Sequence, residues 1–432
     1  MGAGLAGLAC ALRLAEAGVE VAVLEQADAV GGRVRTDIVD GFRCDRGFQL
    51  LNPAYPEARR VLDLTSLRLR PLPGAVVVAS GTHRWVLGDP RRTPAALLLG
   101  ALIGDATAVG NLGEKLAFGR WALRCARRRP ADLLRAPDEP WGVALDRFGL
   151  DGQLRRSVLE PFLAGVLGES DGSTSRRFVE LLIRSFVAGR PSVPAGGMQR
   201  IGDQLAGALP AGTVRCGIGV AGVGAGGGAA RQVRTAAGTI SARAVVVATN
   251  PASAADLTGL PLPRVRPLTT FWHTCAEPPS RSGALHLDGD RRGPVVNTVV
   301  MSSVVPSYVR NARVLVATTM LGLPSTDRGD ADSEPGVRRQ LAHIYGVDTS
   351  RWEVVTTHAI PQALTAMDPP LDVRRSVALG DGLFVAGDHR DSASSQGALV
   401  SGRRAADAVL TSLGQRVPPR PALDALAGTR RR

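Results

Sequence analysis

The first residues of the chain have the spacing of a phosphate-binding loop. Gly2, Gly4 and Gly7 form a GxGxxG pattern, and helix-favouring residues follow as far as Ala17. In such a loop the first glycine makes a tight turn, the second lets the backbone approach a pyrophosphate, and the third lets helix and strand pack closely. The N–H groups at the start of the helix attract the phosphates. These residues therefore predict a dinucleotide-binding site.

An acidic residue follows at the distance that such a site requires. The apolar run from Val19 to Leu24 ends in Glu25, 18 residues after Gly7. A carboxylate at the end of this predicted strand can accept hydrogen bonds from an adenosine ribose, and its charge disfavours the 2′-phosphate of NADP. A GxGxxG pattern alone also occurs in glycine-rich turns without a ligand, so the prediction depends on loop, helix, strand and acid coming in this order.

Three more segments contain glycine next to charged residues. Gly31, Gly32 and Arg33 come shortly after Glu25, and Asp45-Arg46-Gly47 follows the next predicted strands. Near the other end, Gly387-Asp388 precedes Gln396-Gly397-Ala398 at the start of a predicted helix. A Gly-Gly-Arg segment by itself would indicate a surface turn, but its position after the predicted nucleotide-binding strand favours a binding role.

Together these segments resemble the superfamily of flavin-containing amine oxidases, phytoene desaturases and protoporphyrinogen oxidases. The segments Val193 to Gln199 and Ala244 to Pro251 are similar to its linker and to its buried strand and loop. The resemblance covers nearly the whole chain, although its specific motifs lie in the cofactor-binding parts. It implies an FAD-dependent oxidoreductase that transfers a hydride from its substrate to flavin N5.

The resemblance also implies roles for individual residues. Gly32 and Arg33 would close over the FAD pyrophosphate, and Gly47 would approach the flavin ring. The remaining implied contacts are the backbone of Val220 near the adenine, Asp388 after Gly387 at the ribityl chain, and the helix start Gln396, Gly397 and Ala398, whose free N–H groups would stabilise negative charge on the reduced flavin. Members with a covalent flavin use a cysteine in the C-terminal flavin segment. Since no cysteine follows Cys275, FAD is expected to be non-covalent.

No catalytic residue is assigned by the sequence. Amine-oxidising members commonly place a lysine near flavin N5, but Lys115, the one lysine of the chain, lies outside any matching segment. The catalytic candidates are His389, His273 and Tyr308. The candidate pocket residues are Phe271, Trp272, His273, Tyr308 and the strand Pro361 to Leu364. Such an aromatic wall would suit an apolar or planar substrate, although ordinary core packing explains the same residues.

Three functions remain open at this point. The leading interpretation is dehydrogenation of a hydrophobic or polycyclic small molecule, as in phytoene desaturases or protoporphyrinogen oxidases. A flavin amine oxidase is the near alternative. The absence of a matching lysine also allows a non-catalytic flavin-binding scaffold.

The elements that must position these residues predict an α/β fold. A discontinuous Rossmann-type FAD-binding domain is expected from residues 1–62, 190–262 and 375–414, with a glycine-rich turn at Gly224 to Gly228. A mostly helical insert is expected from 63–189, a mixed α+β substrate domain with a sheet from 263–374, and a loose tail from 415–432. The substrate domain should contain strands at 295–300 and 314–319 and a helix near 337–345. An apolar strand should precede a GxGxxG loop, yet Met1 directly precedes Gly2. We therefore expect a truncated first central strand and a natural chain that begins upstream.

Composition excludes several classes of protein. With 432 residues, 44% hydrophobic and 21% charged, the chain is globular rather than disordered. Five scattered cysteines favour neither disulfides nor a metal site. The net charge of +13 comes almost entirely from arginine, which is typical of a GC-rich genome, and 4% aromatic residues leave few rings for base stacking, so nucleic-acid binding is not expected. No feature indicates an oligomeric state.

The sequence predicts a cytoplasmic protein, since it shows neither a signal peptide nor a run of apolar residues that could span a membrane. One region suggests peripheral contact with the inner face of the membrane. The apolar segment Pro94 to Gly104 precedes a basic helix predicted for Glu114 to Arg129. This helix contains Arg120, Arg124, Arg127 and Arg128. A solvated helical face is the simpler interpretation of the same pattern.

Overall fold

The computed structural model describes residues 1–88, 109–226, 230–324 and 333–423. The segment Pro94 to Gly104, part of the glycine-rich turn predicted for Gly224 to Gly228, and the end of the predicted loose tail lie outside these residues. The α-helices are α1 (Leu5–Glu16), α2 (Ala58–Val61), α3 (Leu112–Arg127), α4 (Pro130–Arg135), α5 (Trp141–Arg147), α6 (Glu160–Leu167), α7 (Arg176–Ala188), α8 (Gln199–Gly207), α9 (Pro251–Thr258), α10 (Met301–Val304), α11 (Glu334–Tyr345) and α12 (Ser395–Ser412).

The described residues also form nineteen strands. They are β1 (Val23–Leu24), β2 (Thr36–Val39), β3 (Phe42–Asp45), β4 (Leu69–Pro71), β5 (Ala75–Ser80), β6 (His83–Gly88), β7 (Ser192–Pro194), β8 (Val214–Arg215), β9 (Val220–Ala225), β10 (Arg231–Thr235), β11 (Gly238–Ala242), β12 (Val245–Val247), β13 (Val265–Cys275), β14 (Leu285–Asp288), β15 (Val295–Val300), β16 (Val314–Leu321), β17 (Glu353–Thr365), β18 (Ala378–Gly380) and β19 (Leu383–Val385).

Three distant parts of the chain build the nucleotide-side unit. Strand β1 pairs with β8, and β12 pairs with β19, both in parallel. Helices α1 and α12 pack against each other beside these strands. The pairing joins residues from the three segments in which the cofactor motifs occur. The limits of the individual domains stay a prediction.

Residues 1–3 lie between the two groups of parallel strands. The amide of Gly2 donates to the carbonyl of Leu24, and the amide of Ala248 donates to the carbonyl of Met1, both at 2.8 Å. The start of the described chain therefore occupies the position between β1 and β12. The expectation of a longer apolar strand there stays a prediction.

The substrate side is built around a seven-stranded sheet with the order β17-β13-β16-β15-β14-β5-β6 among the described residues. Strands β15 and β16 and helix α11 confirm the elements predicted for residues 295–300, 314–319 and 337–345. Helix α11 covers one face of this sheet, where Val316, Val337 and Leu341 are buried together. Helix α6 packs on the opposite face, against β15 and β16.

The first insert, predicted to be mostly helical, also contributes strands to the substrate side. Its first part forms β5 and β6, which pair with each other, and β5 joins the substrate sheet beside β14. The run Ala75 to Ala79 consists largely of β-branched valine, and Ser80 to Thr82 makes a turn between the two strands. Helices α3 to α7 follow in the same insert.

Candidate functional site

The glycine-rich loop has the geometry that the predicted phosphate site requires. Gly2 has a φ of 91°, and a Cβ added there would lie 2.6 Å from the Ala248 carbonyl oxygen. A Cβ on Gly7 would lie 2.0 Å from the Gly2 carbonyl oxygen, so helix α1 can approach the loop only without a side chain. A Cβ on Gly4 would meet no atom within 4 Å. Gly2 and Gly7 are therefore needed for packing, whereas Gly4 borders open space.

The start of helix α1 is suited to an anion. No side chain caps the helix at Gly4, and its first turn contains no acidic residue. Because the first N–H groups of an α-helix have no partner within the helix, they are available to a ligand, and the helix dipole favours a negative charge there. The helix start and the open side of Gly4 together fit a pyrophosphate.

Glu25 lies at the end of β1, beside this loop. One carboxylate oxygen accepts from the Ala3 amide at 2.6 Å, and the other accepts from the Ala27 amide at 2.9 Å. A carboxylate has about four lone-pair sites, so acceptor capacity remains for ribose hydroxyls. The Ile218 amide donates a hydrogen bond to the Glu25 carbonyl at 2.8 Å. This bond brings the segment before Val220 to the same end of the site.

Arg33 and Asp388 come together although 355 positions separate them in the chain. The Arg33 guanidinium donates to the Asp388 carboxylate at 2.5 Å and to the Ala363 carbonyl of β17 at 2.9 Å. The side chain of Asp388 is only 5% exposed, and that of Arg33 is 34% exposed. The two residues predicted to contact different parts of FAD thus contact each other, and Arg33 also joins the nucleotide side to the substrate sheet.

The start of helix α12 is partly capped, which corrects the expectation of three free N–H groups. The Gly397 amide donates to the Ser394 hydroxyl at 3.1 Å, and the Ala398 amide donates to the Ser394 carbonyl at 2.9 Å. The Gln396 side chain accepts from the Glu57 amide at 2.9 Å. Of the three backbone N–H groups predicted as donors, only that of Gln396 lacks an acceptor in the described part of the chain.

His389 is buried directly after Asp388. Neither of its ring nitrogens has a hydrogen-bond partner among the described residues. Burial lowers the pKa of His389 to about 4, so the ring is neutral near pH 7. The ring borders a small cavity with Pro251 and Ala254 of α9, next to Arg375.

The predicted aromatic wall does not form, because neighbouring residues of a strand point to opposite faces of a sheet. Phe271 is buried on the face covered by α11. His273 pairs there with Glu334 of α11 at 3.1 Å. Trp272 points the other way and donates from its indole N–H to the Asp45 carbonyl at 3.2 Å. Residues 271 to 273 therefore cannot line one pocket together, and His273 lies on the face opposite the cofactor segments.

Tyr308 belongs to a buried polar cluster around Asp45. The Tyr308 hydroxyl donates to one carboxylate oxygen of Asp45 at 2.6 Å. The other oxygen accepts from the Thr36 hydroxyl at 2.5 Å and from the Met198 amide at 2.9 Å. Burial raises the pKa of Asp45 to about 6, against the opposing effect of these hydrogen bonds. Tyr308 thus positions a carboxylate between the domains and is not free to act on a substrate.

The importance of Asp45 was not evident from the sequence, where only Gly47 of that turn received a role. The sequence offers one signal for Asp45. It follows Phe42 and Cys44, which alternate with a polar residue in β3, and it directly precedes the charged residue Arg46. Thr270 is a second residue that sequence analysis missed. Its hydroxyl accepts from the Phe48 amide at 3.2 Å.

The fold and the loop are those of a protein that binds a dinucleotide. The profile of one family, described as flavin containing amine oxidoreductase, matches residues 5–410. The chain belongs to this family, which uses FAD. This confirms the resemblance found in the sequence.

The individual curated relatives share only part of their sequence with this chain. Polyamine oxidase 1 from Oryza sativa subsp. japonica is 29% identical over 242 residues, which is 50% of this chain and 45% of that protein. The chain thus spans less than half the length of this curated relative.

Solved structures share the fold over nearly the whole chain. An oxidoreductase from Methanosarcina mazei has a TM-score of 0.73 and 17% identity, with 96% of this chain and 99% of that chain covered. A proposed protoporphyrinogen oxidase from Exiguobacterium sp. 255-15 has a TM-score of 0.70 and 16% identity, with 95% and 98% covered. Putrescine oxidase bound to putrescine has a TM-score of 0.66 and 19% identity, with 95% and 98% covered. At these identities the likeness shows the fold alone.

The residues present fit FAD. Open space beside Gly4 and an uncapped helix start without acidic residues suit a pyrophosphate. Glu25 retains acceptor capacity for ribose hydroxyls, and the backbone N–H of Gln396 at the start of α12 has no acceptor among the described residues. These features lie on two of the three chain segments that meet in the nucleotide-side unit.

Proposed function

We propose that this protein dehydrogenates a small organic substrate by hydride transfer to FAD. The observation that carries the proposal is the contact between the Gly47 turn and the substrate sheet. The Phe48 amide donates to Thr270 of β13, and a Cβ on Gly47 would lie 3.1 Å from Ile360 of β17. The turn that is expected beside the flavin ring therefore adjoins the sheet of the substrate side. A scaffold that only binds flavin has no need of this junction.

Several residues would hold the cofactor. The α1 start and Gly4 would bind the pyrophosphate, Glu25 the ribose, and Arg33 with Asp388 the region between pyrophosphate and ribityl chain. When bound, FAD supplies the two-electron acceptor, which takes up the hydride at N5. Cys275, the last cysteine of the chain, is buried on β13 and donates to the Glu277 carbonyl. We therefore expect FAD to be held without a covalent bond.

The chain supplies charge stabilisation rather than a strong base. The positive end of α12 and the Gln396 amide would favour negative charge near the flavin ring. Dehydrogenation also releases a proton from the substrate atom next to the oxidised carbon. The neutral ring of His389 can accept a proton at its one unprotonated nitrogen, and solvent is the other acceptor. Lys115 lies on α3 of the helical insert, outside the cofactor segments.

Two substrate classes follow from the sequence, a hydrophobic or polycyclic molecule and an amine. The division of residues 271–273 between the two faces of the sheet removes the aromatic wall that favoured the first class. Polar side chains of the same sheet lie beside the Gly47 turn instead, with Thr270 among them. This observation favours amine oxidation as the second candidate.

Helix α3 supports a proposal of peripheral membrane contact. Its residues Leu112, Leu116 and Leu123 are 69%, 56% and 47% exposed. At 3.6 residues per turn these three leucines lie on one side of the helix, and Arg120 and Arg127 flank them. Exposed leucines beside arginines suit the surface of an anionic bilayer. No helix in the described ranges is long and apolar enough to cross a membrane.

The other two arginines of the predicted patch point elsewhere. Arg124 stacks on the ring of Phe148 at 5.5 Å from its centroid. Arg124 and Arg128 line a groove together with Arg135 of α4 and Arg176 of α7. The proposed membrane contact therefore depends on the leucine side of α3 and on Arg120 and Arg127.

Anaerobic flavin reduction tests the proposed function. FAD-loaded protein is mixed without oxygen with primary amines and, separately, with porphyrinogens and polyenes, and bleaching of the flavin absorbance is followed. We expect one substrate class to bleach the flavin. If dithionite reduces the bound flavin but no compound of either class does, the protein is a scaffold.

A further inference from the structure

A groove in the helical insert gathers four arginines. It has a volume of about 550 Å³ and is lined by Arg124 and Arg128 at the end of α3, Arg135 of α4 and Arg176 of α7. Asp132 is the one carboxylate among the described residues that line it, so four positive charges and one negative charge give a net charge of +3. A space of this size accommodates a small organic ligand rather than a single ion.

Three of these arginines have no counter-ion. No carboxylate in the described part of the chain pairs with Arg124, Arg128 or Arg135. Elsewhere in the same insert, Arg147 pairs with Glu139 at 2.9 Å. Like charges within one groove repel each other, and an anion that binds between them removes this repulsion. The charge distribution therefore favours a negatively charged ligand.

Arg176 is the buried member of the group, with 10% of its side chain exposed. Its guanidinium donates to the Pro137 carbonyl at 2.6 Å and to the Glu139 carboxylate at 3.2 Å. Its Nε has no hydrogen-bond acceptor among the described residues, because Glu180 Oε1 lies 3.7 Å away, beyond hydrogen-bond distance. Buried polar groups in native proteins almost always have partners, so this free donor on a groove-lining side chain points to a ligand.

The number and type of the donors fit a phosphate group. A phosphate monoester carries a charge of about −1.5 to −2 at pH 7 and three acceptor oxygens, whereas a carboxylate carries a single charge and two oxygens. Guanidinium groups bind phosphate through two parallel N–H···O bonds, and arginine is the residue best suited to such contacts. Several arginines around one groove therefore match a phosphate better than a single carboxylate.

We propose that this groove binds a phosphate ester, with Arg124, Arg128 and Arg135 as its counter-ions and the Nε of Arg176 as a buried donor. The inference goes beyond the hydride transfer proposed above and does not depend on it. The groove is lined by residues of α3, α4 and α7 and the segment between α4 and α5, whereas the pyrophosphate site is formed by the glycine loop and α1.

Two sources can supply such a phosphate. Arg124 lies one helical turn from both Arg120 and Arg127 on α3, so the groove adjoins the leucine side that is proposed to contact the membrane. A lipid can place its phosphate in the groove while its acyl chains follow the exposed leucines. A water-soluble phosphate ester can enter the same groove from solvent, and the chemistry that binds it is the same.

Calorimetric titration tests the groove. The protein is loaded with FAD, so that the pyrophosphate site beside Gly4 is occupied. The probes are glycerol 3-phosphate, dihexanoyl phosphatidic acid below its micellar concentration, and glycerate, which carries a carboxylate in place of the phosphate ester.

The groove variants are Arg128→Gln and Arg135→Gln, each of which removes one guanidinium that has no counter-ion. Arg120→Gln is the control, because it removes the same charge from the same helix outside the groove. Melting temperature and FAD content show that each variant is folded and loaded.

We expect at least one of the two phosphate compounds to bind the wild type and glycerate to bind more weakly. Arg128→Gln and Arg135→Gln should each weaken phosphate binding about tenfold or more, because each removes a charge-assisted contact. Arg120→Gln should change the affinity by less than about threefold, since charges outside the site are screened by salt. Tighter binding of phosphatidic acid than of glycerol 3-phosphate identifies a lipid headgroup as the source, and the reverse order or equal binding identifies a soluble ester.

The proposal is overturned if neither phosphate compound binds, if wild type and both groove variants bind equally, or if glycerate binds as tightly as glycerol 3-phosphate. An equal loss of affinity in Arg120→Gln and in the groove variants also overturns it, because only the overall positive charge of the insert would then attract the anion. The proposed dehydrogenation is tested separately by anaerobic flavin reduction, and neither result determines the other.

Discussion

Arg33 connects more parts of the site than a phosphate contact would require. It pairs with the nearly buried Asp388 and donates to the carbonyl of Ala363 on the substrate sheet. Gly32 and Arg33 were predicted from position and resemblance, yet the partner of Arg33 was not. That pairing joins residues from opposite ends of the chain, and no local pattern contains it.

We expect Arg33→Ala to weaken FAD binding about tenfold to hundredfold. The change removes a charge-assisted interaction worth about 1.5 to 3 kcal/mol and leaves the Asp388 carboxylate unpaired next to the expected pyrophosphate. Titration of the apoprotein with FAD measures the effect. Arg46→Ala is the control, because Arg46 pairs with Asp37 on the neighbouring hairpin. Equal FAD affinity in both variants and wild type would show that Arg33 has no part in the site.

Asp45 makes stability depend on pH in an unusual direction. Its pKa is raised by burial from 3.8 to about 6, so the folded protein holds the proton more tightly than the unfolded chain. The resulting stabilisation is fully present below pH 4 and is lost as the pH rises through about 6. Relative to Asp45→Asn, the wild-type free energy of unfolding should fall by about 2 kcal/mol between pH 4 and pH 7.

Denaturant unfolding of both proteins across this pH range measures the Asp45 contribution. Asp37→Asn serves as a control for a more exposed carboxylate whose pKa is lowered chiefly by its hydrogen bond to Arg46. A constant difference between wild type and Asp45→Asn from pH 4 to pH 7 would contradict a raised pKa.

At the scale of elements, the periodicity of apolar residues predicted those helices and strands whose pattern lies within a single segment of the chain. The α1 helix, the α12 helix after Gly387-Asp388, and the strands β15 and β16 follow patterns that a single segment carries. The aromatic wall was wrong because consecutive residues 271–273 were taken as one surface, whereas strand alternation separates them. The alignment of the polar residues His358, Thr270, Thr319 and Asn297 across the substrate sheet was not predicted at all, since it exists only through the register of four strands.

Helix α3 should attach the protein to anionic vesicles at low salt. Leu116→Glu and Leu123→Glu place charge on the exposed leucine side and should abolish co-sedimentation, whereas Val143→Glu on α5, also at an exposed apolar residue, should not. High salt should weaken the attachment, because arginine contacts with an anionic surface are screened. Protein that stays in the supernatant at low salt would support a solvated helical face instead.

At the scale of the whole molecule, the cofactor site depends on contacts between distant segments. Parallel pairing of β1 with β8 and of β12 with β19 brings the glycine loop, Glu25 and the α12 start into one unit. The motif residues could be assigned from the sequence because each motif is local. The junction with the substrate sheet at Thr270 and Ile360 required the fold, because the residues that meet there belong to separate elements.

The cofactor content of a glycine variant tests the central claim most directly. Gly4→Val places a side chain in the open space beside the loop without meeting a protein atom within 4 Å of its Cβ, and Gly224→Val makes the same change in strand β9, where a Cβ also meets nothing. After denaturation, the released nucleotide is identified and its amount per chain is measured. We predict close to one FAD per chain for wild type and Gly224→Val, and severe loss of FAD in Gly4→Val with an unchanged melting temperature of the apoprotein. Full FAD content in Gly4→Val, or release of only a nicotinamide nucleotide from the wild type, would contradict the account.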